Sequence, residues 1–313
     1  MLIVKGHDVP AAGKGASLAI GNFDGVHRGH QALITQAISE ARRLGAPAGV
    51  MVFEPHPREF FQPREPHFIL TPLPMKLARL EALGLDLAVV MTFDAGFAGL
   101  TATEFVSRVL VGELAVRHVV VGYDFFFGKA RQGTPETMRD AGRRHGFGVG
   151  VIAPVAEDGE VFSSTAVRLK LAQGDVTGAA HDLGDWWRVE GPVIGGARRG
   201  TGLGYPTANL RLPPGTALAH GIYAVRVDAG DGVDRLGAAY IGTRPTFDHG
   251  AVLLEVFLLD FSGDLYGREI EVAFVGFVRG DRKFHSETEL KRQMDEDVAV
   301  VRRLLAAAPE RPV

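Results

Sequence analysis

The chain is 313 residues long, 46% hydrophobic and 23% charged, a composition that accommodates two ordinary globular domains. Its net charge of −3 gives no general attraction to nucleic acid, and no apolar run approaches the ~20 residues that span a bilayer, so neither nucleic acid nor membrane is an expected partner. The absence of cysteine excludes disulfides, thiolate zinc sites and cysteine nucleophiles; the opening MLIVKGHDVP turns polar too soon for a secretory signal, and a cytoplasmic location is the expectation.

From residue 15 to about 152 the chain alternates short apolar runs with helical patterns. ASLAIG (16–21), AGVMVF (48–53), LDLAVVMTF (85–93), HVVVG (118–122) and GVGVIAP (148–154) read as strands buried on both faces. Between them ALITQAISEARRLG, PMKLARLEALG, TEFVSRVLVGEL and TPETMRDAGRRHG carry apolar residues at three-four spacing, the mark of amphipathic helices. Strands alternating with helices predict a parallel sheet covered on both faces, an α/β layer in which ligands sit at the carboxyl ends of the strands.

One such end is GNFDGVHRGH (21–30), with His27 and His30 three apart at the start of a helix. A helix start offers unpaired N–H groups and a positive dipole end, both of which favour an anion. Two histidines with no third ligand nearby make a poor zinc site. A purely structural turn seldom needs two histidines and an arginine, so a phosphate site is the better reading. SSTAVR (163–168) adds Ser163, Ser164, Thr165 and Arg168 at a second helix start. Hydroxyls there most often only cap the helix, but the added arginine suits a further anionic group.

After two short helices in residues 163–184 the rhythm changes. WWRVEGPVIGG, GIYAVRVDAG, RLGAAYIG, AVLLEVFLLDF and REIEVAFVGFVRG are strands separated by glycine, proline and aspartate turns, which predicts an antiparallel sheet or small barrel. LGYPTANL (203–210) places Thr207 and Asn209 two apart, hence on one face of an extended segment, as hard oxygen donors suited to Mg²⁺ on a nucleotide. A final helix, SETELKRQMDEDVAVVRRLLAA, opens with Ser286 and Glu289 as a capping box. The domains are drawn as 1–184 and 185–313.

In order along the chain, GNFDGVHRGH, FEPHP (53–57), RHVVVGYDFFFGKARQG (117–133), SSTAVR, LGYPTANL, YIGTRPTF (240–247), LLEVFLLDF (253–261) and DLYGREIEV (264–272) resemble the bacterial bifunctional riboflavin kinase/FMN adenylyltransferase family. The resemblance covers nearly the whole chain. It implies a Rossmann-like nucleotidyltransferase domain marked by H-x-G-H, followed by a six-stranded antiparallel riboflavin-kinase barrel with a terminal helix. The implied substrates are riboflavin, FMN and ATP, with Mg²⁺ as cofactor. By the same resemblance His27 and His30 bind ATP phosphates and stabilise the transition state of FMN adenylylation. Gly21, Asn22, Phe23, Asp24 and Gly29 shape the nucleotide pocket, and Ser164, Thr165 and Arg168 hold the β,γ-phosphates. Phe53, Pro55, His56, Pro57 and Asp124 are implied to lie along the flavin and nucleotide cleft. In the second half Gly204, Thr207 and Asn209 would bind Mg-ATP, the last two through the metal, and Glu255 would be the base that takes the ribityl hydroxyl proton. Without the P-T-A-N block, the better reading of Glu255 is an outward residue alternating along an edge strand.

Some positions depart from the family pattern. Ala166 stands where the family has an arginine, and Phe126 replaces a cationic or polar residue in D-F-x-F-G, with Arg28, Lys129 and Arg131 as candidate compensating charges. Tyr240 replaces an asparagine, and Arg199 or Thr201 stands near a usual arginine position. Two further readings therefore stay open at this stage: a riboflavin kinase with an impaired adenylyltransferase, and a non-catalytic flavin-binding regulator.

Overall fold

The computed structural model describes residues 1–6, 8–195, 207–243 and 252–312. The glycine-rich loop containing Arg199, Thr201 and Gly204, and the stretch RPTF (244–247), lie outside the described residues. The chain forms two compact units, one of Met1–His67 with Thr71–Ser163, the other of Phe68–Leu70 with Ser164–Val313.

The first unit is built on six parallel strands: β1 (Leu2–Lys5), β2 (Ser17–Ile20), β3 (Ala48–Glu54), β4 (Leu87–Thr92), β5 (His118–Gly122) and β6 (Gly148–Ile152). They lie in the order β1-β4-β3-β2-β5-β6. The five strands expected from the sequence are present. The added edge strand β1 is short and mostly exposed, so it lacks the double-sided apolar signal of the others. Side chains alternate across the sheet: Leu18 and Ile20 enter one core with Met51, Val89 and Val119, while Ala19 enters the other with Val50, Ala88 and Val120. Helices α1 (Arg28–Leu44), α2 (Pro57–Phe61), α3 (Leu73–Ala82), α4 (Ala95–Ala98), α5 (Ala102–Glu104) and α6 (Pro135–His145) complete the layers, and a short antiparallel hairpin of β7 (Ala156–Glu157) and β8 (Glu160–Val161) follows β6. TEFVSRVLVGEL departs from the expected α-helix: Phe105–Glu113 is a π-helix, whose wider turn buries Phe105, Val106, Val109 and Leu110 together. The chain runs outward from β2 through β3 to β4, then returns to place β5 on the other side of β2. The β2/β5 boundary is thus the point where strand order reverses, the place where open α/β sheets hold ligands.

The second unit opens with α7 (Ser164–Ala172) and α8 (Val176–Leu183), the two short helices expected, joined by Lys170 Nζ donating to both oxygens of buried Asp182 at 2.7 and 2.8 Å. Six antiparallel strands follow: β9 (Trp187–Pro192), β10 (Thr207–Arg211), β11 (Gly221–Asp228), β12 (Asp234–Thr243), β13 (Val252–Leu258) and β14 (Glu269–Arg279). Their order is β10-β13-β12-β11-β14-β9, and the two edges meet where Ile194 N–H donates to Asn209 O at 2.8 Å, closing the sheet into a barrel. Its interior holds Val189, Leu210, Tyr223, Val225, Leu254, Val256 and Phe274. Phe68 and Leu70, far earlier in the chain, belong to the same core, where Arg168 Nε donates to Phe68 O at 2.7 Å and Trp187 Nε1 to Leu70 O at 3.0 Å.

The terminal helix α9 (Glu287–Ala307) covers the outer face through Val301 and Leu305 against Ala224, Ala273 and Val275. Its start corrects one expectation. Ser286 Oγ accepts the Glu289 N–H at 3.1 Å, but the Glu289 carboxylate takes the N–H of His285 at 3.0 Å rather than that of Ser286, so only half of the capping box forms as drawn.

Candidate functional site

The turn after β2 is held in an uncommon backbone. Phe23 (φ 49), Gly25 (φ 85) and Val26 (φ 48) all lie in the left-handed region, where a β-branched residue such as Val26 is a genuine outlier. Strain of this kind persists only where surroundings over-determine it: Phe23 and Val26 are fully buried. Asp24, 2% exposed, accepts the Thr71 N–H at 3.0 Å and ties the turn to the segment that leads into α3.

His27 is the N-cap of α1, its Nδ1 accepting the His30 N–H at 3.3 Å. That acceptor role places the His27 proton on Nε2. The two imidazoles stack with centroids 3.6 Å apart, and Phe23 flanks His30 at 5.1 Å. Burial, then the neighbouring His27 and then Lys76, push the His30 imidazole well below its usual range, so it is neutral at pH 7. Its Nδ1 is buried without a hydrogen-bond partner. A Cβ on Gly29 would come within 3.0 Å of the His27 ring and 3.1 Å of Phe162 O, so a larger residue at this helix start would have to push the His27 ring or the Phe162 carbonyl aside. The result is a pre-stacked imidazole pair, its His30 neutral, at a positive helix end beside the strand-order reversal.

The other expected residues of this unit take distinct places. Gly21 and Asn22 are half-buried at the end of β2. Phe53 closes β3 against Phe93 and Phe97 (6.0 and 5.7 Å). His56 has a local job, its Nδ1 accepting the Arg58 N–H at 3.1 Å as cap of α2, with Pro57 at the first helical position and Pro55 just before. Asp124 is exposed just after β5. The Phe126 departure is answered in space: the Arg131 guanidinium lies over its ring at 4.9 Å. Arg28 instead pairs with Glu157 at 2.9 Å.

In the second unit Ser164 and Thr165 begin α7, and Arg168 lies one turn on, bound to Phe68 O. The barrel gathers its own set. In the register of the sheet Asn209 faces Glu255, Glu255 faces Tyr240, Tyr240 faces Ile222, and Ile222 faces Arg279. One row of five strands therefore carries these side chains on a common face. Thr207, Ile222, Tyr240, Glu255 and Arg279 line a cavity of ≈ 660 Å³, bounded on its far side by Met294, Asp297 and Val298 of α9. Glu255 is half-buried on a strand flanked by β10 and β12, which removes the edge-strand reading. Leu254 and Val256 point to the barrel core, so Glu255 points to the cavity.

Two features were not foreseen from the sequence. Lys76 is 4% exposed among the residues behind the first turn, though its helix reads as an ordinary amphipathic one. Asp297 accepts three bonds from Arg279 (2.7–3.1 Å) and one from Gln293 (3.0 Å), fixing α9 against the end of β14 at the cavity wall. Arginine after a strand and aspartate in a charged helix carry no local signal of that pairing.

A turn suited to an anion at a parallel-sheet reversal and an oxygen-rich row over a cavity fit a two-site, nucleotide-dependent transferase. A FAD synthetase family model matches residues 9–166, and a riboflavin kinase model matches residues 183–305. Curated bifunctional riboflavin kinase/FMN adenylyltransferases are similar over nearly the whole length: 41% identical for Pseudomonas fluorescens (99% of this chain, 100% of the relative) and 41% for Escherichia coli K12 (96% and 97%). The chain belongs to the bifunctional riboflavin kinase/FMN adenylyltransferase family. It phosphorylates riboflavin to FMN and adenylylates FMN to FAD. A Streptococcus pneumoniae crystal structure described as a macrolide-efflux protein superimposes with TM-score 0.86 at 28% identity, over 96% of this chain and 99% of that one. Among the described residues here, no helix is long and apolar enough to cross a membrane.

Proposed function

We propose that the two reactions divide between functional domains 1–184 and 185–313, and that the residues gathered above carry them. In the first, Gly21, Asn22, Phe23, Asp24 and Gly29 form the nucleotide cradle, and the FMN phosphate attacks the α-phosphorus of ATP with pyrophosphate leaving. The stacked His27 and His30 donate hydrogen bonds to the oxygens on which charge builds, a stabilisation that costs no reorganisation because the rings are already stacked. Ser164, Thr165 and Arg168 hold the β,γ-phosphates. Phe53, Pro55, His56, Pro57 and Asp124 border the flavin. Arg131 over Phe126 supports an intact rather than impaired adenylyltransferase.

In the second reaction the carrying observation is the orphaned oxygen of Asn209. Its Nδ2 donates to Thr207 O at 3.3 Å, leaving Oδ1 buried and without a hydrogen-bond partner. A hard, unsatisfied oxygen beside a threonine on a cavity-lining strand fits Mg²⁺. Thr207 and Asn209 would hold the ion, which would supply charge neutralisation to the phosphates of ATP. Glu255, directly across from Asn209, accepts the proton of the ribityl 5′-hydroxyl as its oxygen attacks the γ-phosphorus of ATP and ADP leaves. Riboflavin, FMN and ATP are the partners of this reading, with neither nucleic acid nor membrane, in the cytoplasm.

The test is a pair of variants assayed for both reactions by chromatography of products. Glu255→Gln is expected to lower riboflavin phosphorylation ~10²–10⁴-fold, the scale of general-base catalysis, and to convert supplied FMN to FAD at the normal rate. His30→Ala is expected to do the reverse. Glu255→Gln with normal FMN formation removes the base; loss of both activities in either variant removes the division of labour.

A further inference from the structure

The barrel cavity holds one departure from the family pattern that no role above uses. Tyr240 stands where the family has asparagine, and it lines the cavity beside Glu255, its partner in sheet register. Its ring lies along its own strand. A Cβ on Gly242, two residues on, would collide with the Tyr240 hydroxyl oxygen and Cζ and come within 2.8 Å of Cε1. The bare backbone of Gly242 is therefore the seat of the phenol, and no left-handed φ gives this glycine another reason. Register then sets the order along the strands. Thr207 shares a row with Phe257 and Ala238, Glu255 shares one with Asn209 and Tyr240, and Gly242 lies in the row of Leu253. The base thus stands between Thr207 on one side and the phenol hydroxyl on the other, each two residues, or roughly 7 Å, along the strand. The cavity continues on the phenol's side to Asp281 and Phe284, which follow Arg279 past the row of Tyr240.

We propose that Tyr240 is a specificity-determining residue for riboflavin phosphorylation, its hydroxyl binding an internal hydroxyl of the ribityl chain while Glu255 takes the terminal one. The inference rests on the reading of this cavity as the kinase site and of Glu255 as its base. With the phosphoryl donor held at Thr207 and Asn209, the acceptor reaches Glu255 from the opposite end, where the phenol lies. A polyol chain running along the strand brings one hydroxyl to each oxygen, and a phenol can donate to or accept from it. Two contacts a fixed distance apart aim the terminal oxygen at the γ-phosphorus, and such orientation supplies much of the rate when the transition state is loose. Asparagine at position 240 is too short to carry a polar group as far as Gly242, so the contact belongs to a chain with tyrosine there. The substrate selected is a flavin with hydroxyls along its side chain, not any flavin with a terminal alcohol.

The experiment measures kcat/KM of the full chain for riboflavin and for a flavin with a hydroxypentyl side chain, which keeps the terminal hydroxyl and lacks the internal ones. Melting and FAD formation from supplied FMN serve as folding controls. Tyr240→Phe is expected to lower kcat/KM for riboflavin about 3–10-fold, the scale of one neutral hydrogen bond, and to leave the hydroxypentyl flavin unchanged. The preference for riboflavin shrinks by that factor. Gly242→Ala, which pushes the ring off its seat, should cost the same preference, and none further when added to Tyr240→Phe. An unaltered preference in Tyr240→Phe overturns the proposal, whether both substrates stay normal or both fall together, because a ring that only walls the cavity acts on both alike. Gly242→Ala that keeps the preference overturns it too; should that variant fail to fold, Tyr240→Phe decides alone. Glu255→Gln that phosphorylates riboflavin normally would reject the underlying reading of the site, whereas an unaltered preference in Tyr240→Phe beside an inactive Glu255→Gln rejects only the role of Tyr240.

Discussion

His118 shows what a single buried imidazole costs. It is the first residue of β5, 7% exposed, at the end of the strand away from the turn, and its Nδ1 is buried without a partner. Burial lowers its affinity for a proton, Arg43 lowers it further and Glu40 partly restores it. In the unfolded chain the ring titrates near ~6.5. As pH falls through that value the unfolded state gains a proton that the fold does not, so stability is lost on acidification and is unaffected above it. His30 has the same sign for its own reasons. The melting temperature is therefore expected to drop between pH 7.5 and 5.5, and to drop less in His118→Leu. Equal slopes in the two proteins would clear His118 of the effect.

At the scale of elements, the kinase cavity depends on α9 staying against β14. The Arg279–Asp297 pair makes that joint, with Asp297 5% exposed and Arg279 about a fifth exposed at its side chain. Asp297→Asn leaves the guanidinium without its countercharge. Full burial would make the loss about 3–5 kcal/mol; the partial exposure of Arg279 brings it to about 1–3 kcal/mol. Urea unfolding should show that loss, and KM for riboflavin should rise, because both residues line the cavity. An unchanged KM would mean that α9 is held without the pair.

Elements also show what could be read from the sequence. The central strands and the helices between them were legible because burial on both faces leaves continuous apolar runs, and because Gly29, His27 and His30 sit at the junction where strand gives way to helix. The oxygen pair Thr207 and Asn209 was legible from period two alone. Edge strand β1 was not, since pairing with β4 is long-range and leaves it mostly exposed. Lys76 was hidden because one charge in PMKLARLEALG looks solvated until α3 is laid on the turn. The opposition of Asn209 and Glu255 belongs to sheet register, which no local pattern encodes.

At the scale of the molecule, the second unit is discontinuous in sequence. Phe68 and Leu70, 6% and 1% exposed, sit in the barrel core, and Trp187 binds Leu70 O. A fragment of residues 164–313 lacks both side chains and both carbonyls. It is expected to melt below the full chain's kinase transition, followed through riboflavin phosphorylation, and Leu70→Ala in the full chain to destabilise that transition by about 2–5 kcal/mol. A fragment as stable as the full chain would make Phe68–Leu70 a passive passenger.

That discontinuity has a consequence for synthesis on the ribosome. Residues 1–163 emerge before any of α7, yet Leu70 must wait for Trp187, 117 residues later. At about 5–20 residues per second the wait is about 6–23 s, during which an apolar tripeptide has no core to enter. Translational pausing between these positions would lengthen that window, and ribosome-bound chains stalled within it are where a chaperone would find its substrate.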